Sequence, residues 1–221
     1  MKSFTILVKL GQRDHMEELR SKGAVFLQTI HYFEKLENDT ARGDHLEGSS
    51  EIMQPKHIGT MTLGNISFLP TEIVGPVVLG SPSNRLSNVF CMYSITKPTD
   101  LYPIDERVLA FGDSFVMVLN AAEFIRRFRT SAERMDYAGI AGRIEYFDAT
   151  EYSGETGLLR KSSCFSWQNE YRLVLQPGAA EPVTLMLGDL RDIMTEVMPT
   201  REIKRRLNFG AAEVKAAGLL W

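Results

Sequence analysis

Cysteine is scarce in this sequence, because the 221 residues include only Cys91 and Cys164. Two thiols cannot build the multiple bridges that stabilise small secreted domains. Both lie beside apolar residues, and a free cysteine packs like a small hydrophobic side chain. We therefore expect buried free thiols and a reducing, cytoplasmic compartment.

Histidine is also rare, and no two of the four histidines have the short spacing of a zinc motif. Asp44, His45 and Glu47 form the one cluster whose residue types suit a metal, and a solvated polar turn is the alternative for it. Neither cysteine has a histidine close by in the chain. Gly-x-Ser-x-Gly and the glycine-rich phosphate motifs are missing, which argues against a serine or cysteine hydrolase and against Rossmann or P-loop nucleotide binding.

Excess positive charge and long apolar runs are absent as well. The formal net charge is -3, so the chain has no basic coat for general nucleic-acid binding. No apolar stretch approaches the roughly 20 residues that cross a bilayer, so we expect no membrane association. The first apolar run ends at Lys9, is too short for a secretory signal and predicts a strand.

What is present is typical of one folded domain. Hydrophobic residues make up 44% and charged residues 24% of the chain, which is long enough to bury a substantial core. No repeat, low-complexity tract or linker divides it. We therefore predict a single domain over residues 1–221, with a C-terminal helical segment from about residue 190.

The order of the predicted elements favours an α+β fold. The chain opens with a strand (4–10), a helix (14–22) and a strand (24–29), in which Asp14 and Glu17 suit a capping box and Gly23 a helix C-cap. Helical spacing recurs over 121–135. The other predicted strands are mostly short and joined by turns, and they lie at 60–63, 66–68, 73–74, 77–79, 89–96, 116–119, 142–147, 171–175 and 183–187. The turn at Pro177-Gly178 suggests pairing between the last two. Such a series predicts mixed or antiparallel sheets rather than a doubly wound parallel one.

The segment before residue 171 carries the most informative candidate site. Gln168 and Glu170 are two residues apart, so both project to one face if a strand begins there. A carboxylate in that position can accept hydrogen bonds from ribose hydroxyls and stabilise positive charge on the anomeric carbon, while the amide holds an attacking group. The alternative is structural, with Glu170 in an ion pair with Arg172 or Lys161.

Two further segments are candidates for ligand binding. Lys9 ends the first strand, where it points into the notch that the strand–helix–strand opening forms, and it suits a phosphate or ribose. The Arg42-Gly43-Asp44 loop holds an arginine next to acidic groups, and its glycines allow it to bend sharply. A surface lysine and a solvated turn are the respective alternatives.

Taken together, short motifs of this chain resemble a family of uncharacterised bacterial proteins, the DUF2971 type. The resemblance spans about residues 8 to 193, and its motifs follow in order: His15 to Leu19 with Gly23, His31-Tyr32-Phe33, Arg42 to Gly48, Phe90 to Ser94, Phe111-Gly112-Asp113, Glu123 to Arg127, Glu145 to Asp148, Gln168 to Arg172 and Leu187 to Ile193.

The pattern of this family is in turn similar to the ADP-ribosyltransferase fold, a split mixed β-sandwich flanked by helices that binds NAD in a cleft. The resemblance implies that Glu170 is the catalytic glutamate of a Gln-x-Glu element and that Gln168 positions the acceptor. Tyr93-Ser94-Ile95-Thr96 resembles the Ser-Thr-Ser strand of that fold. Lys9 replaces the family's His or Arg, which weakens the expected contact with NAD.

The function implied is an NAD-dependent ADP-ribosyltransferase, a toxin or phage-defence effector with a possible antitoxin. Lys9, Tyr93 and Ser94 would contact NAD, Arg42 would reach its pyrophosphate, and the acceptor would be RNA, DNA or protein. Two alternatives remain from the residues. One is a non-catalytic binding or regulatory protein, and the other is a metal-dependent nuclease that uses Asp44, Glu47 and Glu170.

Overall fold

Runs of aliphatic and β-branched residues make this a strand-rich molecule. The structure is a computed structural model, and it describes residues 5–35, 44–96 and 104–206. Within those residues the strands are β1 (Ile6–Gly11), β2 (Ala24–Thr29), β3 (Ser49–Met53), β4 (Met61–Leu63), β5 (Ile66–Phe68), β6 (Val77–Gly80), β7 (Asn88–Ile95), β8 (Ser114–Val118), β9 (Ala138–Arg143), β10 (Glu145–Phe147), β11 (Gly154–Glu155), β12 (Arg160–Ser162), β13 (Glu170–Gln176), β14 (Val183–Met186) and β15 (Met198–Pro199). The helices are α1 (Arg13–Lys22), α2 (Ile30–Glu34), α3 (Pro82–Leu86) and α4 (Ala121–Glu133).

Strand β7 lies at the centre of an eight-stranded antiparallel sheet. Its apolar sequence suits this position, because a central strand is covered on both faces. One edge of β7 pairs with β13, which in turn pairs with β9. The other edge of β7 pairs with both β2 and β1, and the strand order along this path is β14-β2-β7-β1-β8-β15. The smaller sheets are β11-β3-β6, β4-β5 and a parallel pair, β10-β12.

The second edge of β7 is split between two strands. Strand β1 pairs with Tyr93, Ser94 and Ile95, whereas β2 pairs only with Asn88 and Val89. In the described part of the chain no strand pairs with this edge at residues 90–92. Helix α1 connects β1 to β2 and spaces them apart, and the gap that results is where the cavity described below opens.

Two apolar layers cover the large sheet. Helices α1 and α4 pack on one face, where Leu19 and Phe128 meet sheet residues such as Leu7 and Leu173. The opposite face is covered in part by a 3-10 helix at Glu106–Phe111, which contributes Val108 to a cluster with Val8, Tyr93 and Phe115. A third cluster groups Ile30, Val89, Leu158 and Val174. Burial on both faces explains why β7 and β13 carry so few exposed side chains.

Several predictions from the sequence are confirmed. The fold is mixed α+β with antiparallel sheets and few helices. The chain opens strand–helix–strand, and Gly23 ends α1 in the left-handed conformation with φ 67°. A side chain at that position is excluded twice over, because its Cβ would also lie 2.3 Å from the carbonyl oxygen of Gly188.

The predicted capping box at the start of α1 is wrong. Gln12 is the N-cap and makes no side-chain cap. Helix α1 starts one residue earlier than predicted, so Glu17 lies a full turn after Arg13 and forms an i,i+4 ion pair with it at 3.3 Å.

One prediction about strand pairing is wrong. Strands β13 and β14 do not pair across Pro177-Gly178, because β14 joins β2 and both edges of β13 are taken by β7 and β9.

The helical segment expected from about residue 190 is found only in part. Residues 190–199 are turns and the short strand β15, residues 200–206 are helical and begin with a 3-10 helix at Thr200–Glu202, and the rest of the segment lies outside the described residues. The apolar residues of 190–199, among them Leu190 and Ile193, have helical spacing but pack into the core as a turn.

None of the helices in the described residues has the length and apolar character needed to cross a membrane.

Candidate functional site

A cavity of about 700 Å³ opens where the edge of β7 is split. Its walls come from β1, α1 and β2 on one side of the split and from β7 and β13 on the other. The wall residues are mostly apolar or aromatic, and a few polar side chains converge at one end. A cavity of this size and character is typical of small-molecule sites in proteins.

The polar end of the cavity is a buried network of four charges. Arg172 of β13 donates from Nε to Oε1 of Glu170 at 2.6 Å and from Nη2 to Oε2 of Glu47 at 3.0 Å. Its Nη1 donates to Oε1 of Glu47 at 2.5 Å and to the carbonyl of Leu158 at 3.0 Å. Lys161 of β12 lies 3.4 Å from Glu170 and 3.6 Å from Glu47. All four charged side chains are at most 5% exposed.

The network keeps Glu170, Lys161 and Arg172 charged despite their burial. Burial raises the pKa of Glu170, but Arg172 and Lys161 outweigh it and lower that pKa below its usual range. Burial likewise opposes charge on Lys161 and Arg172, and the two glutamates outweigh it and raise both pKa values. Glu170 is therefore a carboxylate near neutral pH and cannot act as a general acid there.

Asp44 sits beside this network without completing it. Its Oδ1 accepts from the backbone N–H of Leu46 at 2.9 Å, while its buried Oδ2 has no hydrogen-bond partner. Burial, followed by the charge of Glu47, raises the pKa of Asp44. The loop that looked like a solvated turn in the sequence is therefore built into the interior at Asp44 and Glu47.

Four of the six residues predicted for the site line the cavity: Lys9, Tyr93, Gln168 and Glu170. Lys9 donates from Nζ to the carbonyl of Cys91 at 2.8 Å, across the split in the sheet. Tyr93 and Glu170 face each other in the register of β7 and β13. These positions bring together residues that are up to 161 positions apart in the chain, and their roles stay predictions.

Gln168 reaches the cavity by a different route from the one predicted. It ends a 3-10 helix, Ser163–Gln168, and Asn169 then turns the chain in the left-handed conformation before Glu170 begins β13. Strand alternation therefore does not align the two side chains. Lys161 joins them instead, because its Nζ donates to Oε1 of Gln168 at 3.0 Å and lies 3.4 Å from Glu170.

One predicted cofactor contact, Ser94, does not line the cavity. Ser94 is fully buried and donates its hydroxyl hydrogen to the carbonyl of Asn169 at 2.8 Å, so its role is to fix the turn before β13. Its side chain points to the opposite face of β7 from Tyr93, as neighbours in a strand must. Arg42 lies outside the described residues.

Comparison of this chain with protein-family models, curated proteins and solved structures gave no match. The contacts of the cavity residues are therefore the basis for assigning a function.

Metal binding has no support among the residues that the structure describes. They contain no group of three or more histidine, cysteine or acidic side chains placed to hold a metal ion. Glu47 and Glu170 point at Arg172 and Lys161, which already neutralise them. The Asp44, Glu47 and Glu170 combination expected for a nuclease is therefore not assembled as a metal site.

Glu47, Lys161 and Arg172 were not predicted as residues of the NAD site. The sequence indicated Lys161 and Arg172 only as ion-pair partners of Glu170, and Glu47 only as a loop acid or metal ligand. One signal for the network is visible in β13, where Glu170 and Arg172 lie on one face of a strand whose other residues before the terminal Gln176 are apolar or aromatic. Charges on one face of such a strand need buried partners, and only the fold reveals that Glu47 and Lys161 supply them.

Proposed function

We propose that this chain is an NAD-dependent ADP-ribosyltransferase with Glu170 as its catalytic residue. One observation carries the proposal: an ionised, buried carboxylate lies in a cavity at a split in the central sheet, together with Lys9, Tyr93 and Gln168. The charge of Glu170 would stabilise the positive charge that develops on the nicotinamide ribose as nicotinamide leaves. Gln168 would orient the acceptor.

Glu170 keeps hydrogen-bonding capacity for a ribose. A carboxylate has about four lone-pair sites. Oε1 accepts one short bond from Arg172, Oε2 has a longer contact of 3.4 Å with Lys161, and the Cys91 thiol also hydrogen-bonds to the carboxylate. The remaining lone pair can accept from a ribose hydroxyl without breaking the bond to Arg172.

The rest of the cavity suits the other parts of the dinucleotide. Its volume of about 700 Å³ lies within the range of ligand sites. Aromatic residues, including Phe26, Phe90 and Tyr93, offer apolar surface to a planar base. Lys9 is the cation that β1 contributes to the lining, where it would contact a phosphate or ribose.

The acceptor is a macromolecule, RNA, DNA or protein, and the protein acts as a toxin or phage-defence effector that an antitoxin would restrain. This part rests on the resemblance to the DUF2971 type and to the ADP-ribosyltransferase fold.

The test is transfer of label from NAD. Purified protein is incubated with cell lysate and NAD labelled on its adenosine half, and nicotinamide release is measured in parallel. We expect Glu170→Gln to lose about 100-fold or more of both activities, because it removes the charge aimed at the transition state. Glu155→Gln is the matched control, since this glutamate is exposed on β11.

Folding is checked separately, because Glu170→Gln removes a partner of Arg172. Glu170→Asp keeps the charge but withdraws it from the cavity and from Arg172, so it should transfer poorly, and urea unfolding measures how much stability each variant keeps. Undiminished transfer by Glu170→Gln, or no binding of NAD to the wild type at millimolar concentration, would overturn the proposal.

A second candidate, a binding protein without turnover, is favoured by the ion pair between Glu170 and Arg172. It is the contact that the structural interpretation of Glu170 predicted. In that case NAD or a related ligand raises the melting temperature of the wild type without any release of nicotinamide. A melting temperature that rises with magnesium or manganese but not with NAD would instead favour the metal-dependent nuclease.

A further inference from the structure

A short hairpin presents an apolar face away from the body of the protein. It consists of β4 and β5, which are joined by Gly64, at φ 60°, and Asn65. The register pairs Met61 with Phe68 and Leu63 with Ile66. Residues that are opposite or two apart in a hairpin share a face, so Met61, Leu63, Ile66 and Phe68 form one side, which we call the hairpin face.

The other side of the hairpin is polar. Thr62 and Ser67 are paired there, with their hydroxyl oxygens 3.1 Å apart. The hairpin is therefore amphipathic, as strands that cover a core usually are. Here, however, the apolar side chains at the tip are not covered.

Exposure is concentrated at the tip of the hairpin face and just beyond it. Met61 and Phe68 are half-buried at its base. Leu63 and Ile66 are each 62% exposed, Leu69 is 57% exposed and Val74 is fully exposed. Isolated two-stranded hairpins are only marginally stable in water, and large exposed apolar patches mark interaction sites.

This segment also lacks charge. Residues 58–71 contain no aspartate, glutamate, lysine, arginine or histidine. Glu72 follows, and its carboxylate accepts from the backbone N–H of Leu69 at 2.7 Å rather than extending over the hairpin. Exposed strand edges are usually protected from self-association by charged side chains, and this hairpin has none.

We propose that the hairpin face binds the same face of a second copy of this chain. Two copies that meet across a twofold axis bring the same surface against itself, so a surface with charges of one sign repels its copy, and this face carries no charge to oppose the contact. The occupant must also be apolar and uncharged, and the hairpin of a second copy has both properties. The two hairpins would pack face to face, with the polar sides of both exposed to water.

The exposed area predicts a weak dimer. With about 100 Å² of apolar area for a fully exposed aliphatic side chain, the four exposed residues offer roughly 300 Å² per copy. Stable complexes bury about 800 Å² per partner. The association should therefore be reversible and depend on protein concentration.

Sedimentation velocity across roughly 1 to 300 µM tests the proposal on the full chain. We expect the mass to rise from 24.9 kDa toward twice that value as concentration increases. Leu63→Lys/Ile66→Lys should stay monomeric at concentrations at least 10-fold higher. The matched control, Thr62→Lys/Ser67→Lys, places the same charges on the polar side and should weaken the dimer much less.

Three results would overturn the proposal. A single 24.9 kDa species at every concentration excludes a dimer. Equal dimerisation of both double variants excludes the hairpin face. Flotation with phosphatidylcholine vesicles that the Leu63→Lys/Ile66→Lys change abolishes, without any dimer, assigns the face to lipid instead. None of these readouts depends on NAD.

Discussion

Replacement of Arg172 by methionine should destabilise the protein far more than loss of a surface charge. Arg172 is 1% exposed and donates four hydrogen bonds, three to carboxylate oxygens and one to the carbonyl of Leu158. Methionine fills much of the volume but, among the described residues, leaves Glu47 and Glu170 with Lys161 as their one close cation. Two negative charges then face one positive charge in the interior.

The size of the effect follows from the burial of the partners. Breaking a buried pair by removing one member costs about 3–5 kcal/mol, because the charge left behind is uncompensated. Domains have a total stability of about 5–15 kcal/mol, so between about a fifth and all of the free energy of unfolding is at risk. For a chain of this length the melting temperature should fall by roughly 6–20 °C.

The assay is equilibrium unfolding in urea near pH 7, with Arg126→Met as the control. Arg126 pairs with Glu123 on the surface of α4, where its side chain is 64% exposed, and its loss should change the midpoint little. The double variant Glu47→Gln/Arg172→Met should recover part of the loss, because it removes one of the orphaned charges. An Arg172→Met cost below about 1 kcal/mol would refute the view that this network is held by its charges.

The pH dependence has a definite sign. In the wild type, burial raises the pKa of Glu170, but the charges of Arg172 and Lys161 outweigh burial and lower that pKa. Its stabilisation is therefore present above its unfolded pKa of about 4.3 and is lost only as the pH falls below it. In Arg172→Met the burial of Glu170, which raises its pKa, is no longer opposed by Arg172, so Glu170 can take up a proton. The deficit in the free energy of unfolding relative to the wild type should therefore narrow as the pH falls from about 7 to about 5. A deficit that widens over this range would contradict the assignment.

Two further predictions concern the cavity wall and the sheet. Burial and the charge of Glu170 raise the pKa of the Cys91 thiol to about 12, so its thiolate should be roughly 1,000-fold rarer near neutral pH than that of an ordinary cysteine. Iodoacetamide labelling followed by peptide mass spectrometry should therefore modify Cys91 at least about 100-fold more slowly than the exposed Cys164, and equal rates would contradict the burial. Gly178→Ala should lower the free energy of unfolding by about 1–3 kcal/mol, because the added Cβ would lie 1.6 Å from the carbonyl oxygen of Leu86. Both this variant and a control, Gly59→Ala, are measured by urea unfolding. At Gly59 a Cβ meets nothing within 4 Å, so the control should keep the stability of the wild type.

Local patterns in the sequence predicted the elements more successfully than their partners. The opening strand–helix–strand unit, Gly23 as its C-cap and helix α4 follow from spacing and from the left-handed preference of glycine. The predicted pairing of β13 with β14 failed because it assumed that strands adjacent in the chain also pair. Strand partners are set by competition among distant segments, and β7 and β9 occupy both edges of β13.

For the candidate site, too, the sequence indicated residue types but not their positions. The residue types at Lys9, Gln168 and Glu170 indicated polar chemistry, and these residues do line one cavity. Ser94 could not be separated from Tyr93 by sequence, although the side chains of neighbours in a strand face opposite ways and only one of the two reaches the cavity.

By itself, the sequence determined the α+β class and the placement of a charged pair, Glu170 and Arg172, within an apolar strand. Only the tertiary structure decided that Glu47 and Lys161 complete that pair and that the sheet splits beside it. The physical reason is that helix caps and strand patterns depend on residues a few positions apart, whereas compensation of a buried charge and the opening of a cavity depend on contacts between segments that meet only in the folded chain.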